Sequence, residues 1–234
     1  MTLERELITS TGNTISIVSD DEKTVEHFEN SNSFAEVVLS QINNDRIYDE
    51  IFDDDDSDLV VLDIGGNIGL FSLYLHDRCK AIYPIEPTPS HFSILEGLTN
   101  KFPNIKPLNV ALHNEDGEID FYISEENSTM NSSVNVYGKK VEVQARKLET
   151  IIQELGLDHV DFVKCDIEGS EMVALTEDTL RPVADKIDCW FVEVHATGTD
   201  LFDNKDELKA RFEAVGYTVQ DDYLPDALFC YKDE

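Results

Sequence analysis

Basic residues are scarce in this chain. Lysine and arginine number 18 against 49 aspartates and glutamates, a formal net charge of -31 at pH 7. Such a surface repels polyanions at long range, so nucleic acid is not expected as a partner, and an anionic membrane surface is disfavoured in the same way. Cysteine is sparse as well. Cys79, Cys165, Cys189 and Cys230 stand far apart with no CxxC pair, a spacing that supports neither a metal knuckle nor a disulfide framework. Reduced, mostly buried thiols are the expectation, in keeping with a cytoplasmic protein. No apolar run is long enough to span a bilayer, and the opening MTLERELITS has no apolar signal-peptide core. The sequons at Asn127 and Asn131 therefore read as a polar loop. His27, His76, His91, His113 and His159 occur singly, so no nucleophilic triad is legible and a hydrolase is not expected.

What is present is a foldable chain. With 234 residues, 41% of them hydrophobic and 9% aromatic, it can bury the core of one α/β domain with a short appendage. Residues 1–58 read as the appendage, an accessory segment. Its residues 4–18 alternate as a hairpin around Thr11-Gly12-Asn13, and a helix begins near Ser33 as N-cap. The acidic run Asp53 to Asp56 closes it as a solvated loop.

Residues 59–234 alternate strand and helix. Strands are expected at 59–63, 81–86, 105–112, 160–166 and 187–194, with helices at 67–76, 90–101, 147–155, 169–176 and 204–215. Two alternating stretches, 118–123 and 140–145, interrupt the pattern as an inserted β-hairpin across the polar loop 124–138. Strands separated by helices imply a parallel sheet with right-handed crossovers and helices on both faces. The closing strands, 217–221 and 227–231, are separated only by a short polar link and should pair antiparallel.

The sharpest motif is Asp63-Ile-Gly-Gly-Asn-Ile-Gly69, which follows a strand and opens a helix. Gly65 or Gly66 can take positive φ and let backbone amides approach a ligand, Asn67 tolerates the left-handed region, and the loop sits where open α/β sheets bind ligands. Glu86 ends the second strand, where an acid can hold both hydroxyls of a ribose. Together they point to an adenosine-containing cofactor. A dinucleotide fingerprint would want GxGxxG, and Asp63 beside the loop would repel a pyrophosphate. The same carboxylate can accept hydrogen bonds from a ligand ammonium, such as the methionine end of S-adenosylmethionine.

With these residues in view, the sequence resembles the FkbM family of S-adenosylmethionine-dependent methyltransferases. The resemblance rests on Val61-Leu-Asp-Ile-Gly-Gly-Asn-Ile-Gly69, Ile85-Glu-Pro-Thr-Pro-Ser-His-Phe92, Asn109-Val-Ala-Leu112 with Gly117, Val163-Lys-Cys-Asp-Ile-Glu-Gly-Ser-Glu171 and Val192-Glu-Val-His195. It covers roughly residues 59–195. It implies a Rossmann-like class I methyltransferase fold with a mostly parallel seven-stranded sheet and an antiparallel last strand. It also implies O-methylation of a hydroxyl on a sugar, glycan or other small molecule. Carried over, it places Asp63, Gly65, Gly66, Asn67, Gly69 and Glu86 at the cofactor, with Asn109 and Ala111 near the adenine. The alternatives are an N-methyltransferase acting on a small amine and a NAD-dependent oxidoreductase.

Methyl transfer to a hydroxyl needs positioning and a proton acceptor. Candidates are Asp166, Glu168 and Glu171 after the fourth strand, and Glu193 with His195 ending the fifth. Catalysis is assigned to His195, Asp166 and Glu193, with His195 as the neutral-pH base, since an unperturbed imidazole titrates near ~6.5. Glu168 and Glu171 can equally serve a helix N-terminus, and Lys164 should pair with this cluster. A divalent ion held by Asp166, Glu193 and His195 is chemically open but not expected.

Overall fold

Period-two alternation makes the first element a hairpin. In the computed structural model, which describes residues 2–29, 35–45, 48, 51–52, 57–123, 133–134, 138–196, 201–222 and 224–232, β1 (Leu3–Ile8) and β2 (Thr14–Ser19) pair antiparallel, Leu3 opposite Ser19 and Ile8 opposite Thr14. Leu3, Leu7, Ile15 and Ile17 point to one face and are buried. Next comes α1 (Glu22–Glu29), a helix the hydrophobic spacing did not reveal. It starts at Asp21, whose carboxylate accepts hydrogen bonds from the Thr24 backbone N–H and hydroxyl at 2.8 and 2.9 Å. The helix foreseen near Ser33 is α2 (Ala35–Ser40), running into a π-helical turn, Gln41–Asp45. Ser33 itself, the Asp53–Asp56 run and the sequons at Asn127 and Asn131 lie outside the described residues.

The rest alternates as β3 (Leu59–Ile64), α3 (Leu70–Leu75), β4 (Cys79–Ile85), α4 (Pro89–Thr99), β5 (Ala111–Leu112), β6 (Gly117–Ile123), β7 (Lys139–Arg146), α5 (Leu148–Glu154), β8 (Val160–Cys165), α6 (Glu171–Ala174), α7 (Glu177–Leu180), β9 (Ile187–Glu193), α8 (Leu201–Ala214), β10 (Thr218–Gln220) and β11 (Ala227–Tyr231). The main sheet runs β10-β11-β9-β8-β3-β4. Strands β4, β3, β8 and β9 are parallel, and β11 is antiparallel to both β9 and β10. The inserted hairpin is β6 with β7, joined by β5 in a separate three-stranded sheet.

The sheet has six strands rather than the expected seven. Residues 105–112 do not form one continuous strand. Ile105 and Leu108 make only isolated parallel bridges to Ile82 and Ile85, and Ala111–Leu112 turns away to pair with β7. Backbone bonds join Lys106 N to Ile82 O and Leu108 N to Pro84 O. Pro84 has no N–H to donate at the step between, so the ladder breaks there.

Strand alternation sends Val61, Phe162 and Phe191 into one hydrophobic cluster and Leu62, Val163 and Trp190 into the other. The sheet is thus buried on both faces, as parallel sheets are. On the first face the N-terminal hairpin, Phe28, Leu39 and Tyr48 join residues of α3 and α4. Because β4 and β8 lie on opposite sides of β3, the order in which strands are laid into the sheet reverses at β3. That is where an open α/β sheet forms its ligand crevice. No helix among the described residues is long and apolar enough to cross a membrane.

Asp77 fastens the hairpin turn to this body. Its carboxylate accepts hydrogen bonds from the hydroxyls of Thr9 (2.5 Å), Ser10 (3.3 Å) and Thr11, and from the Asn13 amide at 3.2 Å. Asp77→Ala leaves these groups to water and should cost about 1–3 kcal/mol, lowering the thermal midpoint by roughly 2–10 °C. An unchanged midpoint would show that packing alone docks the hairpin.

Candidate active site

Sterics dictate the loop after β3. Gly65 has φ +84°, and a Cβ there would stand 1.7 Å from the backbone oxygen of Asp166, so only glycine lets the β3 loop pass the end of β8. Asn67 takes φ +48° and Gly69 φ +88°, which turns the chain into α3. The N–H groups of Gly65 and Gly66 both donate to Ile85 O, at 2.9 and 3.0 Å. The expectation that these amides reach toward a ligand is therefore corrected: they bind the loop to β4 instead.

A cavity of about 360 Å³ opens beside the loop. Of the expected cofactor residues, Asp63, Gly65, Gly66, Asn67, Glu86 and Ala111 line it. Two do not. Gly69 lies behind, in the turn, its N–H bonded to Gly66 O at 2.8 Å. Asn109 stands outside, its amide donating to the carbonyls of Glu86 and Pro87 at 2.7 and 3.2 Å, where it steadies the strand end that carries Glu86.

Asp63 is fully buried, and burial raises its carboxyl above the usual range. Ser72 donates to its Oδ2 at 2.6 Å. Its Oδ1 is buried with no hydrogen-bond partner among the described residues. Asp63 lines the cavity, and an orphaned acceptor in its wall is what a ligand ammonium would satisfy. Glu86 accepts from the backbone N–H groups of Asn67 (3.0 Å) and Thr88 (2.8 Å), yet burial pushes it up to about 7. His91, unnoticed in the sequence as a cavity residue, holds Nδ1 3.8 Å from Glu86 Oε1. Burial drives it down to about 3, so it is neutral.

The second half of the cavity is acidic. Lys164, Asp166, Glu168 and Glu193 line it. The Lys164 Nζ lies 3.1 Å from Asp166 Oδ2. Burial pulls its pKa down, but Asp166, Tyr48, Glu193 and Asp63 together hold it well above the ordinary value. Glu193 is pushed to about 7, by burial first and by Asp166 second, and Glu168 to about 8 for the same two reasons. Glu168 also sits at φ +53°, a strained conformation for a non-glycine residue.

His195 departs from its assigned role. Its Nδ1 is 3.1 Å from Glu171 Oε1, and its Nε2 is 3.8 and 3.6 Å from Asp166 and Glu168 oxygens. Burial lowers its pKa, but the Glu171 hydrogen bond and the charges of Glu171, Asp166 and Glu168 raise it to about 10. It is an imidazolium at neutral pH, not a free base, and it is not among the residues that line the cavity. Glu171 is fully buried and also accepts from the Ile167 N–H at 2.9 Å, so it braces the turn before α6. Asp166, Glu193 and His195 present donor atoms within 4.8 Å of one another, a spacing that would admit a divalent ion. A divalent ion there would have to displace the proton of the His195 ring, because only the neutral imidazole ligates a metal.

The comparisons decide the family. Residues 63–219 match the methyltransferase FkbM domain. The chain belongs to the FkbM methyltransferases. Methyltransferase sdnD of Sordaria araneosa is 27% identical over 181 residues, 59% of this chain and 70% of its own length. Methyltransferase 1 of Beauveria bassiana is 27% identical over 222 residues, 82% of this chain and 86% of its own. A Methanococcus jannaschii fibrillarin aligns at 12% identity with a TM-score of 0.49, over 99% of this chain and 84% of its own. This FkbM methyltransferase is an S-adenosylmethionine-dependent enzyme, and the reading as a NAD-dependent oxidoreductase is set aside. The orphaned Asp63 Oδ1 and the acidic cavity fit that cationic cofactor.

Gly65→Ala should abolish S-adenosylhomocysteine binding in calorimetry and lower the thermal midpoint, because the new Cβ collides with backbone rather than a movable side chain. Retained binding would show that the loop can yield. Glu86 gives a pH prediction. Its folded pKa lies above the unfolded one, so folding favours its neutral form; that stability is present below the unfolded pKa and lost as pH rises through about 7. Between pH 5 and 8 the ligand-free protein should lose on the order of 3 kcal/mol relative to Glu86→Gln, read by denaturant titration. Parallel pH profiles would contradict it.

Proposed function

We propose that this FkbM methyltransferase methylates a hydroxyl oxygen on a sugar, glycan-linked or other small-molecule acceptor. One observation carries the reading: a carboxylate tuned to about 7, Glu193, shares one cavity with Asp63 and Glu86. A hydroxyl nucleophile must shed a proton as it attacks, and a base is most effective when its pKa lies near the working pH. An amine acceptor would need no such base. The large negative charge argues against nucleic acid and anionic membranes as partners.

When bound, S-adenosylmethionine supplies an electrophilic methyl group on a sulfonium. Asp63, Asn67, Glu86 and Ala111 would hold it, with Gly65, Gly66 and Gly69 shaping the loop and Asn109 steadying Glu86. Asp166, pinned by Lys164, and Glu193 face the acceptor. The Glu193 carboxylate takes the hydroxyl proton. His195, charged and anchored on Glu171, holds Asp166 and Glu168 in place and is a positioning residue in this reading.

The test is transfer of a tritiated methyl group to a panel of alcohols, phenols, glycosides and amines. Hydroxylated acceptors should be labelled, with the rate rising as pH climbs through about 7 and Glu193 ionises. Glu193→Gln should cut that rate by roughly 10²–10⁴-fold while S-adenosylhomocysteine still binds. Labelling of amines alone, or an undiminished Glu193→Gln enzyme, would overturn the reading.

A further inference from the structure

The family match begins at residue 63, yet one wall of the cavity comes from the segment before it. Ala35, Val37, Val38, Gln41 and Tyr48 all line it. Tyr48 is the polar anchor of that wall. Its ring is buried and wedged against Phe71 at 4.9 Å, Tyr74 at 6.0 Å and Phe191 at 6.0 Å between centroids, two of the three edge-on. Those rings belong to α3 and β9, so the phenol is fixed by the elements that also follow Asp63 and carry Glu193. The charged groups acting on the hydroxyl are Lys164, Glu193, Asp166 and Asp63. None of the described residues hydrogen-bonds it.

Tyr48 lines the cavity together with Asp63 at its cofactor end and Asp166 and Glu193 at its acceptor end, and the Phe71 ring it packs against also lies under the Lys164 ammonium, 5.8 Å from the ring centroid. We infer that the Tyr48 hydroxyl stands at the point of methyl transfer and donates a hydrogen bond to the acceptor oxygen. The inference rests on the O-methylation reading. Burial holds the phenol above its ordinary range, so it is a donor there and not a base. As the new C–O bond forms and the C–S bond breaks, the acceptor proton passes to Glu193, and Tyr48 keeps its own. A donor aimed at the oxygen while charge develops on it lowers the barrier only if it is fixed beforehand, and the three rings fix this one.

Calorimetric binding of two probes tests this without knowledge of the acceptor. S-adenosylhomocysteine has nothing at the methyl position, whereas sinefungin has an amine-bearing carbon in place of the sulfur and so puts its amino group there, where it can hydrogen-bond a hydroxyl at the transfer point. Tyr48→Phe keeps the ring packing and removes only the oxygen. We expect S-adenosylhomocysteine affinity to stay within about 2-fold and sinefungin affinity to fall roughly 5-fold or more, the worth of one hydrogen bond. Equal losses for both probes would make Tyr48 a packing residue, and no loss for either would place its hydroxyl elsewhere; both overturn the inference. If the unaltered protein methylates only amines but the probe contrast appears, the O-methylation reading fails while the position of Tyr48 stands.

Discussion

One buried ammonium organises the carboxyl-terminal edge of the sheet. Lys164 lies inside the protein beside Asp166, within the influence of Asp63, Glu193 and Tyr48. Strand register puts it there: Lys164 pairs with Asp63 across β3 and β8 and with Phe191 across β8 and β9. Lys164 and the His195 imidazolium together cannot compensate so many acids. The consequence is visible in Glu86, Glu168 and Glu193, each pushed to between about 7 and 8. Burying unpaired carboxylates is costly to folding. A site that keeps them is short of positive charge and is completed by a cationic ligand.

The same edge is tied together by sterics. The cofactor loop passes so close to the Asp166 carbonyl that position 65 admits no side chain, and the Asp166 N–H donates to Ile64 O at 2.9 Å. The loop that would cradle the cofactor and the residue proposed to face the acceptor are therefore one rigid junction. Positioning, the main requirement of an in-line transfer, follows from the backbone before any side chain is considered.

Much of this was legible in the sequence because it is local. The Asp63-to-Gly69 loop, Glu86 after an apolar run, and the acids of 166–171 all sit at strand ends that composition alone marks. The antiparallel closing pair β10 and β11 was legible for the same reason, since only a short polar link separates them. What failed was non-local. The break in residues 105–112 depends on Pro84 of a neighbouring strand lacking one N–H. His195 read as a base because its three carboxylate neighbours come from another strand end, and only their convergence makes it an imidazolium. Tyr48 carried no motif at all. Its place in the cavity comes from rings contributed by α3 and β9.

The cavity lacks positive charge and gains it from the cofactor. Calorimetry of S-adenosylmethionine binding at pH 7, repeated in buffers of different ionisation enthalpy, tests this directly. A sulfonium and ammonium entering beside Glu86 and Glu193 should lower their pKa values, so binding should release protons. The apparent enthalpy should then change with the buffer, most strongly near pH 7. An enthalpy independent of buffer would mean that the carboxyls do not sense the ligand, and the charge-deficient cavity would have to be abandoned.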